Sequence, residues 1–202
     1  MGATVTVTSA VVLAAGLSRR MGKPKLLLPL EGRPVIRQTV ERMLEGELDE
    51  VLVVVGPEHE ALQRALEGLR VRLVVNPAPE AGQATSVRAG VAALSPAATA
   101  ALIALGDQPR VPVDVIRKLQ LAMTTPGKRI AAPRYTDGLG NPVLFAADVF
   151  PELLTLAGDR GARAVVEKDP ARLAIVEVAM AMPRDLDTPE DYERLIAPDN
   201  SR

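Results

Sequence analysis

The segment from Leu13 to Lys25, LAAGLSRRMGKPK, gathers small residues, two glycines and four cations directly behind an apolar run. Ala14, Ala15 and Gly16 leave the backbone bare enough for a nucleotide to approach its amides. Arg19, Arg20, Lys23 and Lys25 then place positive charge where phosphates would lie, arginine as a planar fork and lysine as a mobile point charge. A strand-to-helix turn with solvated cations would share some of these features. Their density in one short loop favours a seat for a triphosphate, with Leu13 at its threshold.

Carboxylates and further loops complete the chemical inventory. Asp107, in ALIALGDQPRV, follows an apolar run and so falls at the carboxyl end of a strand, where open α/β sheets collect ligands. It is the first candidate for a metal ligand, because magnesium held there can bridge phosphates that the cations also hold; a turn or cap residue is the competing reading. Among Asp185, Asp187 and Asp191, the sequence Asp-Thr-Pro makes Asp191 a helix cap. Asp187 is the candidate to share the cation with Asp107, and Asp185 the weaker one. Asn76 ends an apolar run, and GQATSVRAG opens a helix that sets Gly82 and Ser86 where a ribose or base meets amides and a hydroxyl. The loop GLGNP, with Gly140 and Asn141, and GDRGAR, with Arg160 and Arg163, look like the acceptor side of a cleft; as helix-flanking charges the two arginines would need no ligand. The one histidine, His59, sits between Glu58 and Glu60 and reads as a solvated helix residue, which argues against a Ser-His-Asp hydrolase.

The elements that must position these residues alternate. Apolar runs at Thr8 to Ala14, Val51 to Val55, Val71 to Val75 and Ala101 to Leu105 predict strands buried on both faces. Helices are predicted between and after them, over Pro34 to Leu44, Glu58 to Leu66, Ala84 to Leu94 and Val113 to Met123. After Pro126 come expected strands at Ile130 to Ala132, Val143 to Phe145 and Leu173 to Val178, with a glycine loop at Gly138 to Gly140. Helices are expected at Ala147 to Leu156 and Gly161 to Lys168, and another capped by Thr188 with Pro189 in its first turn. The fold class is α/β, a Rossmann-like, doubly wound, mostly parallel sheet. One domain, 1–202, is expected, with 1–125 serving the nucleotide, 126–202 the acceptor and the second metal ligand, and a frayed Pro-Asp-Asn-Ser-Arg tail.

Composition narrows the function classes. The 202 residues are 48% hydrophobic and 24% charged with a net charge of -1, so nothing in the overall charge draws the chain to nucleic acid or an anionic membrane. Two Tyr, two Phe and no Trp argue against a protein that stacks single-stranded bases on rings. Without cysteine there is no disulfide, thiolate nucleophile or cysteine metal site, so any metal must take oxygen ligands. No run approaches the roughly 20 apolar residues of a membrane span, and no basic region precedes an N-terminal apolar stretch, which points to the cytoplasm. The first loop also lacks the G-x-G-x-x-G spacing of a dinucleotide-dependent oxidoreductase.

Taken in order, LAAGLSRRMGKPKLLLPLEGRPV, NPAPEAGQATSVRAG, LGDQPRV, GNPVLF, GDRGAR and DLDTPEDY resemble the molybdenum cofactor nucleotidyltransferases, and within them the cytidylyltransferase branch. The resemblance spans nearly the whole chain and implies the nucleotide-diphospho-sugar transferase type of fold. It implies a CTP site at the first loop, Mg2+ as the cofactor and molybdopterin as the acceptor near the later loops. Residue by residue, it implies Arg20 and Lys25 on the triphosphate as catalytic groups, Gly82 and Ser86 at the nucleoside, and Asp107 with Asp187 on the metal. Guanylyltransferase relatives usually carry a second glycine where this chain has Ala15, which places it on the cytidine side. The partners implied downstream are a molybdenum hydroxylase or its insertion chaperone. Other small-molecule cytidylyltransferases share similar first loops, and a molybdopterin carrier without catalysis is the reading from another class.

Overall fold

The structure, a computed structural model, describes residues 6–57 and 59–197; the expected frayed tail and Glu58 lie outside them. Ten strands appear in chain order: β1 (Thr8–Leu13), β2 (Pro29–Leu30), β3 (Arg33–Pro34), β4 (Glu50–Val55), β5 (Arg72–Val75), β6 (Ala100–Leu105), β7 (Ile130–Tyr135), β8 (Gly138–Leu139), β9 (Val143–Ala146) and β10 (Leu173–Glu177). Seven α-helices accompany them among the described residues: α1 (Val35–Glu45), α2 (Glu60–Ala65), α3 (Gln83–Ala92), α4 (Val113–Ala122), α5 (Phe150–Leu154), α6 (Arg163–Lys168) and α7 (Pro189–Ile196). The main sheet runs β10-β7-β9-β6-β1-β4-β5, with β8 paired to β7.

The strands read as unbroken apolar runs because both faces of the sheet are covered. Ala10 and Val12 of β1 join Val35, Ile36, Val40 and Met43 of α1 and Val115, Ile116 and Leu119 of α4 in one core. Val11, between them, points the other way and joins Val87 and Val91 of α3, Phe145 of β9 and Leu153 of α5 in a second core. Gly90 lets α3 close on the sheet, since a Cβ there would overlap Val11.

The chain proceeds from β1 to β4 and β5 on one side, then returns across β1 to lay down β6 on the other. Strands β6, β1, β4 and β5 are all parallel, so their carboxyl ends share one edge, and the reversal opens a crevice there between β1 and β6. That switch point is where open α/β sheets bind ligands.

Three details refine the expected elements. The glycine loop at Gly138 to Gly140 contributes β8, a two-residue antiparallel rung on β7. β9 runs antiparallel between β6 and β7, because the connection from β7 is too short for a parallel crossover, which takes a dozen or more residues. The helix expected over Ala147 to Leu156 breaks into a 3-10 turn at Ala147–Val149 and α5, with Pro151 in the first turn of the latter. The hairpin of β2 and β3, bent at Glu31 and Gly32 by positive φ, is too short to show in periodicity.

The C-terminal half is braced by Glu152 of α5. It accepts from Arg172 Nη1 at 2.5 Å and from Lys168 Nζ at 3.0 Å, tying α5 to α6 and to the start of β10. Those hydrogen bonds hold its carboxyl well down, at about 2. A depressed carboxyl stabilises the fold above its unfolded value near 4.5 and loses that contribution as pH falls toward 2. Glu152→Gln should therefore lower the stability measured by thermal melts at pH 7 by about 1 kcal/mol. The difference from wild type should shrink on acidification below pH ~4.5; a gap independent of pH would contradict the brace.

Candidate active site

The first loop hangs between two strands. The Ala14 N–H donates to the Val54 carbonyl at 2.8 Å, and the Leu13 carbonyl accepts from the Gly106 N–H at 2.9 Å. Gly106 has no room for a side chain, since a Cβ would lie 2.9 Å from the Leu13 oxygen and 3.1 Å from Ile36. Ser18, at φ +51, turns the chain so that its carbonyl accepts from Met21 and Gly22 and its hydroxyl from the Lys25 N–H at 3.3 Å. Met21 and Leu26 are buried and pin the loop to the core beneath it. Lys25, opening a 3-10 turn at Lys25–Leu27, is thereby aimed along the crevice between β1 and β6.

There its ammonium meets two carboxylates from distant parts of the chain. Lys25 Nζ lies 2.5 Å from Asp107 Oδ2, at the end of β6, and 2.9 Å from Asp187 Oδ1, just before α7. Arg20 Nη2 holds the other Asp187 oxygen at 2.8 Å. The Lys25 and Asp107 side chains are only 12% and 14% exposed, so the pairing takes place largely out of water. Burial works against the charged lysine, but Asp107 and then Asp187 outweigh it and raise its pKa. Asp185 lies close by, and its pKa is pushed up by burial and then by the Asp107 and Asp187 carboxylates.

Two carboxylates aimed at one cation are a donor set that suits a hard divalent metal, which completes its shell with water and phosphate oxygens. Among the described residues no group of three His, Cys, Asp or Glu forms a ready metal cage. A metal here would thus take Asp107 and Asp187 as protein ligands and the rest of its shell from its substrate and solvent.

These residues line a cleft of about 510 Å³. It brings together Leu13, Ala14, Ala15, Gly16, Arg20, Lys25, Gly82, Ser86, Asp107 and Asp187, and adds Arg19, Asp159 and Asp185. A larger hollow of about 1260 Å³ lies between α7 and the 180–186 segment and meets the cleft only at Asp185. The remaining expected residues stand elsewhere. Asn76 is buried behind the wall, its amide donating to the Thr85 and Ser86 hydroxyls at 2.8 and 2.9 Å, so it shapes the start of α3 without facing the cleft. Gly140 packs against Tyr135 and Met182, and the Asn141 carbonyl accepts from the Tyr135 hydroxyl at 2.9 Å. Arg160 and Arg163, 71% and 78% exposed, are both paired with Glu167 on the outer face of α6. From their loop it is Asp159 that reaches the cleft, and the Gly158 carbonyl accepts from the Ala84 N–H at 3.0 Å over the start of α3. Gly82, at φ +103, has no space for a Cβ beneath Gly158 and Asp159. His59 contacts the Gly56 and Pro57 carbonyls outside the cleft.

One residue of the arrangement was not foreseen. Gln108, 2% exposed, donates from Nε2 to the Pro183 carbonyl at 3.1 Å and to Asp185 Oδ1 at 2.7 Å. With Leu186 buried in the core, this clasp fixes the strap that carries Asp185 and Asp187 against the turn that carries Asp107. The signal for it was an amide standing directly after Asp107 between two apolar stretches. The capping box of α7, in which Thr188 and Asp191 exchange hydrogen bonds, sets the strap's other end.

Residues 10–173 match the model of the MobA-like NTP transferase domain. The chain belongs to that nucleotidyltransferase family. This MobA-like protein is 34% identical over 193 residues to the purine catabolism protein PucB of Bacillus subtilis, covering 91% of this chain and 93% of PucB. It is 33% identical to the nicotine blue oxidoreductase of Paenarthrobacter nicotinovorans, with 92% and 95% covered. Among solved structures, Rv0371c from Mycobacterium tuberculosis H37Rv superposes with a TM-score of 0.88 at 35% identity, over 96% of this chain and 98% of that one. A complex of Rv0371C with manganese is also similar, with a TM-score of 0.83 and 32% identity over 96% and 99% of the two chains. No helix among the described residues of the MobA-like chain is long and apolar enough to cross a membrane.

Gln108→Leu would leave the Pro183 carbonyl and Asp185 without their donor. It should lower the unfolding free energy by about 1–3 kcal/mol in urea titration, whereas an unchanged midpoint would mean that the strap is held without the clasp.

Proposed function

We propose that this MobA-like protein transfers CMP from CTP to the terminal phosphate of molybdopterin, giving the cytosine dinucleotide form of the cofactor and pyrophosphate. The observation that carries the reading is the meeting of Lys25, Arg20, Asp107 and Asp187 beside the bare backbone of Ala14 to Gly16. An oxygen of the acceptor phosphate attacks the α-phosphorus in line; the new P–O bond forms as the bond to the β-phosphate oxygen breaks, and pyrophosphate leaves. No protein nucleophile is required. Residues Gly82 and Ser86 face the nucleoside, and Arg20 and Lys25 neutralise the triphosphate and the departing pyrophosphate. Mg2+, when held by Asp107 and Asp187, supplies charge neutralisation across the phosphates. The manganese complex of a relative supports a divalent ion in this role.

CTP and molybdopterin rest on the resemblance of the six segments to the cytidylyltransferase branch, and 1–125 and 126–202 divide as nucleotide and acceptor parts. The metal ligands come from both parts, so the reaction is assembled at their junction. Ala15, 5% exposed in the loop, is the residue that separates this branch from its guanylyl relatives. Its methyl group narrows the approach available to a purine. Product handover goes to a molybdenum hydroxylase or its insertion chaperone, and the cytoplasm is the proposed setting.

Pyrophosphate release with Mg2+, purified molybdopterin and each of CTP, GTP, ATP and UTP tests the reading. Release with CTP alone is expected. Release with GTP instead would move the protein to the guanylyl branch, and silence with all four would point to another acceptor or a carrier. Asp107→Ala should cost about 3 kcal/mol of barrier, on the order of a hundredfold in rate, and near-wild-type turnover would overturn its role. Ala15→Gly should shift the CTP-to-GTP preference toward GTP; an unchanged ratio removes the base assignment.

A further inference from the structure

The oxygens proposed for the metal are already in use. Asp107 Oδ2 and Asp187 Oδ1 both lie within hydrogen-bonding distance of Lys25 Nζ, at 2.5 and 2.9 Å. Two carboxylates this close, with Asp185 nearby, repel one another and are drawn together by the cation that both contact. In the structure that cation is an ammonium on a four-carbon stem, a group that can be handed from one anion to another as a planar guanidinium cannot.

Resting on the metal seat proposed above, we infer that Lys25 is its resident cation, and that a divalent metal is held tightly only together with a triphosphate that receives the displaced ammonium. A dication arriving alone would have to expel the ammonium while leaving it close by, cation against cation. Asp185 Oδ1 is already held by Gln108, Lys25 pairs with no other acid of the cleft, and Arg19 and Arg20 add further positive charge. A nucleoside triphosphate changes the balance, because it brings its own metal and several negative charges. The metal takes the two carboxylates, and the ammonium moves onto the phosphates where catalysis needs it. The exchange thus couples metal loading to nucleotide binding, and it keeps Asp107 and Asp187 gathered while the cleft waits. Arg20, 71% exposed, pairs with Asp187 Oδ2 at the edge of the same cluster.

Direct Mn2+ binding without nucleotide, followed by the electron paramagnetic resonance of the free ion, tests this separately from turnover. Wild type should bind Mn2+ weakly. Lys25→Met should bind it at least tenfold more tightly, Lys25→Arg should stay near wild type because a cation remains, and the Lys25→Met/Asp107→Asn double variant should lose the gain. Circular dichroism checks each fold, and Lys25→Gln replaces Lys25→Met should the latter not fold. Equal affinity of wild type and Lys25→Met, with both sensitive to Asp107→Asn, overturns the resident-cation role and leaves the metal seat standing. Mn2+ binding to Lys25→Met that ignores Asp107→Asn overturns the seat and the inference together.

Discussion

A mostly shielded ammonium and two half-buried carboxylates hold three distant stretches of this chain in one place. The three groups are coupled through the ammonium, because removing Lys25 leaves Asp107 without its ion-pair partner while Asp187 keeps Arg20. The cost of that charge cluster explains the care with which its backbone is set. The first loop is hung from β4 and β6, Gly106 allows the two turns to touch, and Ser18 ties the Lys25 amide to the loop's own bend. In the proposed reaction the cations and the bare backbone serve one purpose, presenting fixed charge to a ligand rich in phosphates.

The topology makes such a cluster possible. β1 and β6 lie side by side but are separated in the chain by β4, β5 and three helices, so their carboxyl ends meet at a crevice that no direct connection closes. The third member comes from the far end of the chain, along a strap leaving β10 and held by the Gln108 amide, Leu186 and the capping box of α7. Each anchor is of a different physical kind, polar, apolar and helix-terminal. The carboxylates on the strap consequently stand at fixed positions on a segment without regular secondary structure.

Much of this was legible in the residues. Strands buried on both faces announce themselves as unbroken apolar runs; Asp107 follows one such run and the loop that carries Lys25 follows another, so the pairing of their strands decides their meeting. What depended on nonlocal partners was harder to read. Arg163 has Glu167 four residues on, and that local partner, which also draws Arg160, keeps both arginines on the outer face of α6. Asn76 turns inward because two hydroxyls at the start of α3 wait for its amide. Gln108 gave no periodic signal at all, since a buried clasp is defined by what it reaches, and its partners stand more than seventy residues away. The direction of β9, by contrast, follows from the length of the connection before it.

The central claim is that Asp107 and Asp187 form one cation seat that a metal shares with a triphosphate. The most direct measurement is the anomalous scattering of Mn2+ in crystals grown with CTP. The account predicts a manganese peak bound by both carboxylates and by the phosphates, with the Lys25 ammonium moved onto the triphosphate. Manganese bound away from Asp107, or Lys25 still bridging the two carboxylates beside bound CTP, would contradict it.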